Sequence, residues 1–321
     1  MCSSSEVMQP RRRGETLEIL TPSKVNLFLE VSGKRPDGYH EIDTVVEAVD
    51  LCDTLTVGPG PKGIRVETDH PLLPSGPENL VFQAARLFFR HIAEEPAVRI
   101  FIHKRVPPGS GLGGGSANAA GTLLALAAFT GKKLSDRALL ELARRLGSDV
   151  PFFLWGGIAR CRGRGDEVKL LGAPSPRRYL LLLPEVSVST AEVYRSLNFP
   201  LTSPRTLGSM SLEAVESLLG SGRLFFNRLQ EAAFEKQPFL RRIKERVERC
   251  GVRVMVTGSG SCLFGLLSEG MTPSAVREAL GAYRDRVTVA IAGNLPPWRR
   301  TSDREGGSEN HQRSGTAGGG R

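Results

Sequence analysis

The sequence predicts an α+β protein, on three observations. Apolar residues make up 40% of 321 residues, enough to fill a sizeable core. Strand-like alternation and helical spacing both recur along the chain. Strands and helices come in clusters, not in a strict βαβ alternation.

The elements follow in order. Leu17–Leu20, Lys24–Val31 and Asp43–Val57 read as strands, and Pro36-Asp37-Gly38 supplies turn chemistry between the last two. Asn79–His91 carries Leu80, Ala84, Leu87 and Phe88 at helical spacing, and Val98–His103 alternates as a strand. A glycine-rich loop precedes a helix over Ser116–Thr130. A second helix spans Ser135–Leu146, with Ser135 placed to cap it and Gly147 to stop it. Arg178–Leu183, Val252–Val256, Cys262–Leu267 and Val287–Ala292 read as strands. Leu212–Leu219, Arg228–Phe234, Phe239–Cys250 and Pro273–Ala282 read as helices. Residues 155–176, rich in Gly and Arg, are the expected lobe boundary. That divides the chain into 15–170 and 171–295, with disordered tails at 1–14 and 296–321.

No apolar run approaches the roughly 20 residues that span a bilayer, and the three arginines near the start lead into no apolar segment. The five cysteines are odd in number and form no Cys-x-x-Cys pair, which fits reduced thiols. A cytoplasmic protein without membrane contact is expected. No His-Glu-x-x-His arrangement is present, so no protein-held metal is assigned. The net charge is +9, but the two ends supply four of the nine charges. With no aromatic-basic interleaving, nucleic acid is not an expected partner.

The densest chemistry is Pro107-Pro108-Gly109-Ser110-Gly111-Leu112-Gly113-Gly114-Gly115-Ser116-Ala117-Asn118-Ala119-Ala120. Five glycines in seven residues let the backbone take positive φ and approach a ligand closely. The helix that follows offers unpaired amides and the positive end of its dipole, the geometry that binds a phosphate chain. This is not a Walker A loop, since no Gly-Lys-Ser/Thr occurs in it. A flexible linker is the bland alternative, and it rarely runs from a strand through Pro-Pro directly into a good helix.

This loop resembles the ATP loop of the GHMP kinases, and its Gly-Leu-Gly-Gly-Gly-Ser run followed by Asn-Ala-Ala points to the branch acting on a cytidine-diphosphate-linked methylerythritol. Further segments match in family order: Pro22–Leu29, Arg35–Glu41, Leu146–Leu154, Glu185–Tyr194 and Thr257–Cys262, so that the resemblance covers roughly residues 16–292. Read alone, Lys24 is an exposed strand lysine, Tyr39-His40 an ordinary surface pair, and Asp149 a helix-capping or a catalytic carboxylate. Tyr194 is a core tyrosine or a second aromatic wall, and Gly258-Ser259-Gly260 is satisfied by a tight hairpin.

The resemblance implies more. The fold becomes a two-lobe GHMP kinase, with a first lobe like domain 2 of ribosomal protein S5 and a ferredoxin-like second lobe. ATP is the phosphoryl donor with Mg²⁺, bound by Pro107, Gly109, Gly111, Leu112, Gly113, Gly114, Gly115, Ser116 and Asn118. Lys24 and Asp149 are catalytic, Asp149 as base towards the substrate hydroxyl. Asn26, Tyr39, His40, Tyr194, Gly258, Ser259 and Gly260 bind the cytidylated alcohol, whose 2-hydroxyl is phosphorylated in the non-mevalonate route to isoprenoid precursors. Rival expectations are a GHMP kinase for mevalonate or a sugar, and a non-catalytic kinase-like binding protein. Two departures stand out: Ala117, where relatives commonly carry a second Ser, and Asn227-Arg228-Leu229-Gln230, where many have Asn-Asp-Leu-Glu. To the latter no role is assigned.

Overall fold

A computed structural model describes residues 5–197, 205, 207, 208, 210–267 and 270–299. Its first sheet is built on a long antiparallel ribbon. After β1 (Arg11–Arg13), β2 (Thr16–Lys34) pairs with β3 (His40–Pro59) along nearly its whole length. Three register shifts, near Pro22, Leu27 and Ser32, interrupt the pairing. Bulges of this kind re-aim side chains next to functional sites. β4 (Gly63–Thr68), helix α1 (Leu80–Ile92) and β5 (Ala97–His103) follow. Strand order in this sheet is β1-β2-β3-β5-β4, with β4 and β5 parallel.

Helix α2 (Gly114–Thr130) lies on the β2–β3 ribbon. Gly121 permits the approach, because a Cβ there would sit 2.4 Å from the Thr21 methyl. The Ser135 side chain caps α3 (Asp136–Leu146) by accepting from the Ala138 amide, and Gly147 ends it. Asn79 does the same for α1. After a 3-10 turn at Phe152–Leu154, β6 (Ile158–Gly163) and β7 (Glu167–Gly172) form a hairpin on the far half of β3.

The second sheet has the order β10-β11-β8-β12 and is antiparallel throughout: β8 (Arg178–Pro184), β10 (Met255–Val256), β11 (Leu263–Leu266) and β12 (Val287–Gly293). Between β8 and β10 come α4 (Thr190–Arg195), α5 (Leu212–Gly220), β9 (Phe226–Asn227), α6 (Gln230–Lys236) and α7 (Pro238–Glu248), and α8 (Pro273–Leu280) precedes β12. Apolar side chains gather in three clusters: α1, α2 and α3 against the first sheet, α6, α7 and α8 against the second, and a third joining the two sheets through Phe28, Leu181 and Phe264.

Four expectations are corrected. The opening segment is no free tail, because Val7 and Met8 are buried and Arg11–Arg13 pairs with β2. At the other end Trp298 donates its amide to the Trp155 carbonyl, and its ring fills the space over Gly156. The rest of that expected tail, 300–321, lies outside the described residues. Residues 155–176 hold the β6–β7 hairpin, not a plain boundary; its apolar positions alternate too weakly among Gly and Arg to reveal two short strands. The chain also does not divide at one point, since β9 from the second half pairs in parallel with β2.

Candidate active site

A cleft of about 820 Å³ runs between the glycine loop, the bulged stretch of β2, the start of β3, α4 and the Thr257–Ser261 turn. Concave sites of this size with convergent polar groups are where small ligands bind.

Lys24 lies at the bottom, 3% exposed, and its ammonium group donates to the Asn26 Oδ1 at 2.5 Å. The Asp149 Oδ2 is 3.7 Å from the same Nζ, on a side chain that remains 41% exposed to the cleft. A buried ammonium is costly unless paired. Here it has an amide oxygen and a carboxylate as partners, which fix its direction. Asn26 is in turn fixed: its Nδ2 donates to the Thr44 hydroxyl at 3.0 Å, and its Oδ1 also accepts from the Thr257 hydroxyl at 3.2 Å.

The glycine loop is clamped from both sides. The Leu112 carbonyl accepts from the Lys24 amide at 2.9 Å, and the Ser110 carbonyl from the Cys262 amide at 2.9 Å. Gly111, at φ +79°, passes so close to the Thr257 turn that a Cβ would lie 2.1 Å from the Thr257 oxygen. Gly113, at φ +74°, faces Phe153 and the Lys24 stem. Helix α2 then begins at Gly114 with no side-chain cap, which leaves its first amides directed at the cleft.

At the other end of the cleft His40 and Tyr194 stack with ring centroids 4.8 Å apart. Tyr39 is 51% exposed, and the Arg164 guanidinium sits 4.8 Å above its ring. Burial, helped by Lys34, holds His40 below its usual range, so the ring is neutral at pH 7. Burial, with Asp149 adding to it, raises the Tyr194 phenol well above its usual range.

Of the residues the sequence singled out, Pro107, Gly109, Gly111, the Gly113–Ser116 run, Lys24, Asn26, Tyr39, His40, Asp149, Tyr194, Gly258 and Ser259 all line this cleft. Three do not. Leu112 is fully buried and reaches Lys24 through its carbonyl alone. Gly260 packs against Val256, Leu240 and Val188 behind the turn. Asn118 is 2% exposed, and its amide is spent inside the protein on Asp53 and Thr21.

Sequence reasoning missed Arg164, which lies in the Gly- and Arg-rich stretch and lines the cleft. It also gave Asn227 no role. That side chain donates to the Val256 and Gly258 carbonyls at 2.7 and 2.8 Å and so holds the Thr257 turn. Its neighbour Arg228 forms a two-pronged bond to Glu30, at 2.7 and 2.8 Å.

Two family patterns match the chain, the GHMP kinases N terminal domain over residues 79–157 and the GHMP kinases C terminal domain over residues 207–285. A protein of Persephonella marina named 4-diphosphocytidyl-2-C-methyl-D-erythritol kinase is 39% identical over 248 residues, 76% of this chain and 89% of that one. The chain belongs to the 4-diphosphocytidyl-2-C-methyl-D-erythritol kinase family of GHMP kinases. A Thermus thermophilus protein of the same name is 39% identical over 272 residues, covering 84% of this chain and 93% of its own. A crystal structure of 4-(cytidine 5'-diphospho)-2C-methyl-D-erythritol kinase aligns with TM-score 0.71 and 37% identity, over 87% of this chain and 99% of that one. A mevalonate kinase structure aligns with TM-score 0.60 at 18% identity, over 87% and 99% of the two chains, a likeness of fold alone. The α+β, two-lobe GHMP fold is thus the fold of this kinase family member.

Proposed function

We propose that this kinase transfers the γ-phosphoryl group of ATP to the 2-hydroxyl of 4-diphosphocytidyl-2-C-methyl-D-erythritol, releasing ADP and the 2-phosphate. The observation that carries the reading is the Lys24–Asp149 pair, which faces the same cleft as the loop amides. In the step, the substrate oxygen bonds to the γ-phosphorus and the bond to the bridging oxygen of ADP breaks. The hydroxyl proton passes to the Asp149 carboxylate. Lys24 orients that carboxylate and stabilises negative charge developing on oxygen. Catalysis by positioning and charge suits phosphoryl transfer, which asks little covalent chemistry of the protein.

The glycine loop and the uncapped start of α2 take the phosphate chain, with the Ser116 hydroxyl beside it. The aromatic end takes the cytosine: Tyr39 offers a ring face, and neutral His40 offers a ring nitrogen to the base edge. Among the described residues no three His, Cys, Asp or Glu stand together as a metal cluster. Mg²⁺ would arrive carried on the nucleotide, and Ser116 and Asp149, which both line the cleft, would be the side chains to hold it. When bound it neutralises charge on the phosphate oxygens. No helix among the described residues is long and apolar enough to cross a membrane, and a reducing, cytoplasmic setting fits the thiols at Cys161, Cys250 and Cys262.

Initial rates on the cytidylated alcohol beside mevalonate test the assignment. Turnover on the cytidylated alcohol alone is expected; equal or better turnover on mevalonate would replace the substrate.

A further inference from the structure

Behind the glycine loop lies a carboxylate with no part in the chemistry above. Asp53, on β3, is fully buried, and its two oxygens collect four donors. Oδ1 accepts the backbone amides of Arg105 and Val106 at 2.7 and 2.8 Å. Oδ2 accepts the Lys104 ammonium and the Asn118 amide, the latter at 3.0 Å. Lys104 to Val106 is the segment that enters the loop. Asn118 stands in the helix that leaves it. One carboxylate therefore ties together the two ends of the loop.

We infer that Asp53 is a positioning residue for the nucleotide, setting the separation of loop entry and helix start so that the loop amides meet the phosphates without rearrangement. The inference rests on the reading of this loop as the ATP site. The surroundings are built for that task. The Lys104 ammonium comes so near the start of α2 that a Cβ on Gly114 would meet it at 2.9 Å. Asn118 is itself oriented, since its Oδ1 accepts from the Thr21 hydroxyl at 2.5 Å while its Nδ2 faces Asp53. A buried carboxylate is costly unless every lone pair has a donor, and here the donors come from the two ends of one loop and from little else.

The Asp53→Asn variant tests it. An amide keeps the shape and the bonds to Arg105 and Val106, but turns a donor towards Lys104 and Asn118. The KM for ATP is expected to rise about tenfold, the loss of one or two charge-assisted bonds that hold the loop ready. The KM for the cytidylated alcohol, bound at the other end of the cleft, should move less than twofold. The Asp53→Asn/Asn118→Asp double variant restores the opposed donor and acceptor, and should recover most of the ATP KM. Asn118→Ala, which removes one of the four donors to Asp53 together with the acceptor of the Thr21 hydroxyl, keeps the test open should the first variant fold poorly. It is expected to move the ATP KM the same way. A lowered melting temperature with both KM values unchanged, or equal rises in both, would overturn the positioning role. Gly113→Ala is the control for the loop itself: an ATP KM indifferent to it would withdraw the ATP-site reading and this inference together, whereas a response to Gly113→Ala without one to Asp53→Asn removes only the inference.

Discussion

The Lys24 ammonium and the Asp149 carboxylate, 125 positions apart in sequence, stand 3.7 Å apart at the bottom of the cleft. Lys24 is buried and Asp149 is open to the cleft, so the pair presents one usable carboxylate with a fixed partner behind it. Two separate structures bring them together. Lys24 comes from a bulged stretch of β2, while Asp149 follows the end of α3 and is anchored by the buried Phe152-Phe153-Leu154 turn. Lys24→Met should therefore lower kcat by about 10²-fold or more, the usual worth of a positioned acid–base partner, and leave the ATP KM within about threefold. Steady-state kinetics with both substrates varied checks it.

The serine that relatives commonly carry at position 117 should prove dispensable. Ala117 is fully buried in α2, whereas Ser116 lines the cleft. Ala117→Ser is expected to change kcat/KM less than about twofold, since a helix-buried hydroxyl can bond back to a carbonyl one turn earlier. Ser116→Ala should cost about tenfold, one hydrogen bond to a charged group.

Gly111→Ala tests the clamp between the two glycine turns. The new methyl would meet the Thr257 oxygen at 2.1 Å, on a backbone at φ +79°. Strain and displacement together should cost about 2 kcal/mol or more, read as a lowered midpoint in urea. A parallel rise in the ATP KM is expected as the loop shifts.

The end of the cleft proposed to take cytidine carries the expected pH dependence. His40 titrates below its usual 6.5 because burial, and then Lys34, disfavour the charged ring. A group that binds its proton less readily when folded weakens the fold as pH falls through 6.5, because the unfolded chain then takes up the proton first. The KM for the cytidylated alcohol should be flat between pH 7 and 8.5 and rise only below 6.5. Stability should decline over the same acid range, and His40→Asn should flatten both.

Much of this site is legible in the sequence because its chemistry is local. Five glycines and a helix start within one short segment predict a phosphate loop, and that loop does line the cleft; Ser135 and Gly147 mark the ends of α3 as capping residues do. What is not legible depends on partners far away. Asp53 is one acid in a strand of alternating residues, and its donors lie 51 to 65 positions downstream. Asn118 sits within the loop motif yet turns inward, a choice made by Thr21, 97 positions away. Arg164 is concealed by composition, since a Gly- and Arg-rich stretch looks like a boundary until β3 pairs with it. Arg228, which breaks the family pattern, finds its acid in Glu30 on another strand.

The account turns on Asp149 as the group that receives the hydroxyl proton. Its most direct test is ADP release from Mg-ATP and the cytidylated methylerythritol by the wild type and by Asp149→Asn, with binding of both substrates measured on each protein. Loss of turnover by about 10²-fold or more with both affinities kept is the expected result. An Asp149→Asn protein that turns over at the wild-type rate would contradict the assignment and leave Lys24 acting on the phosphates alone.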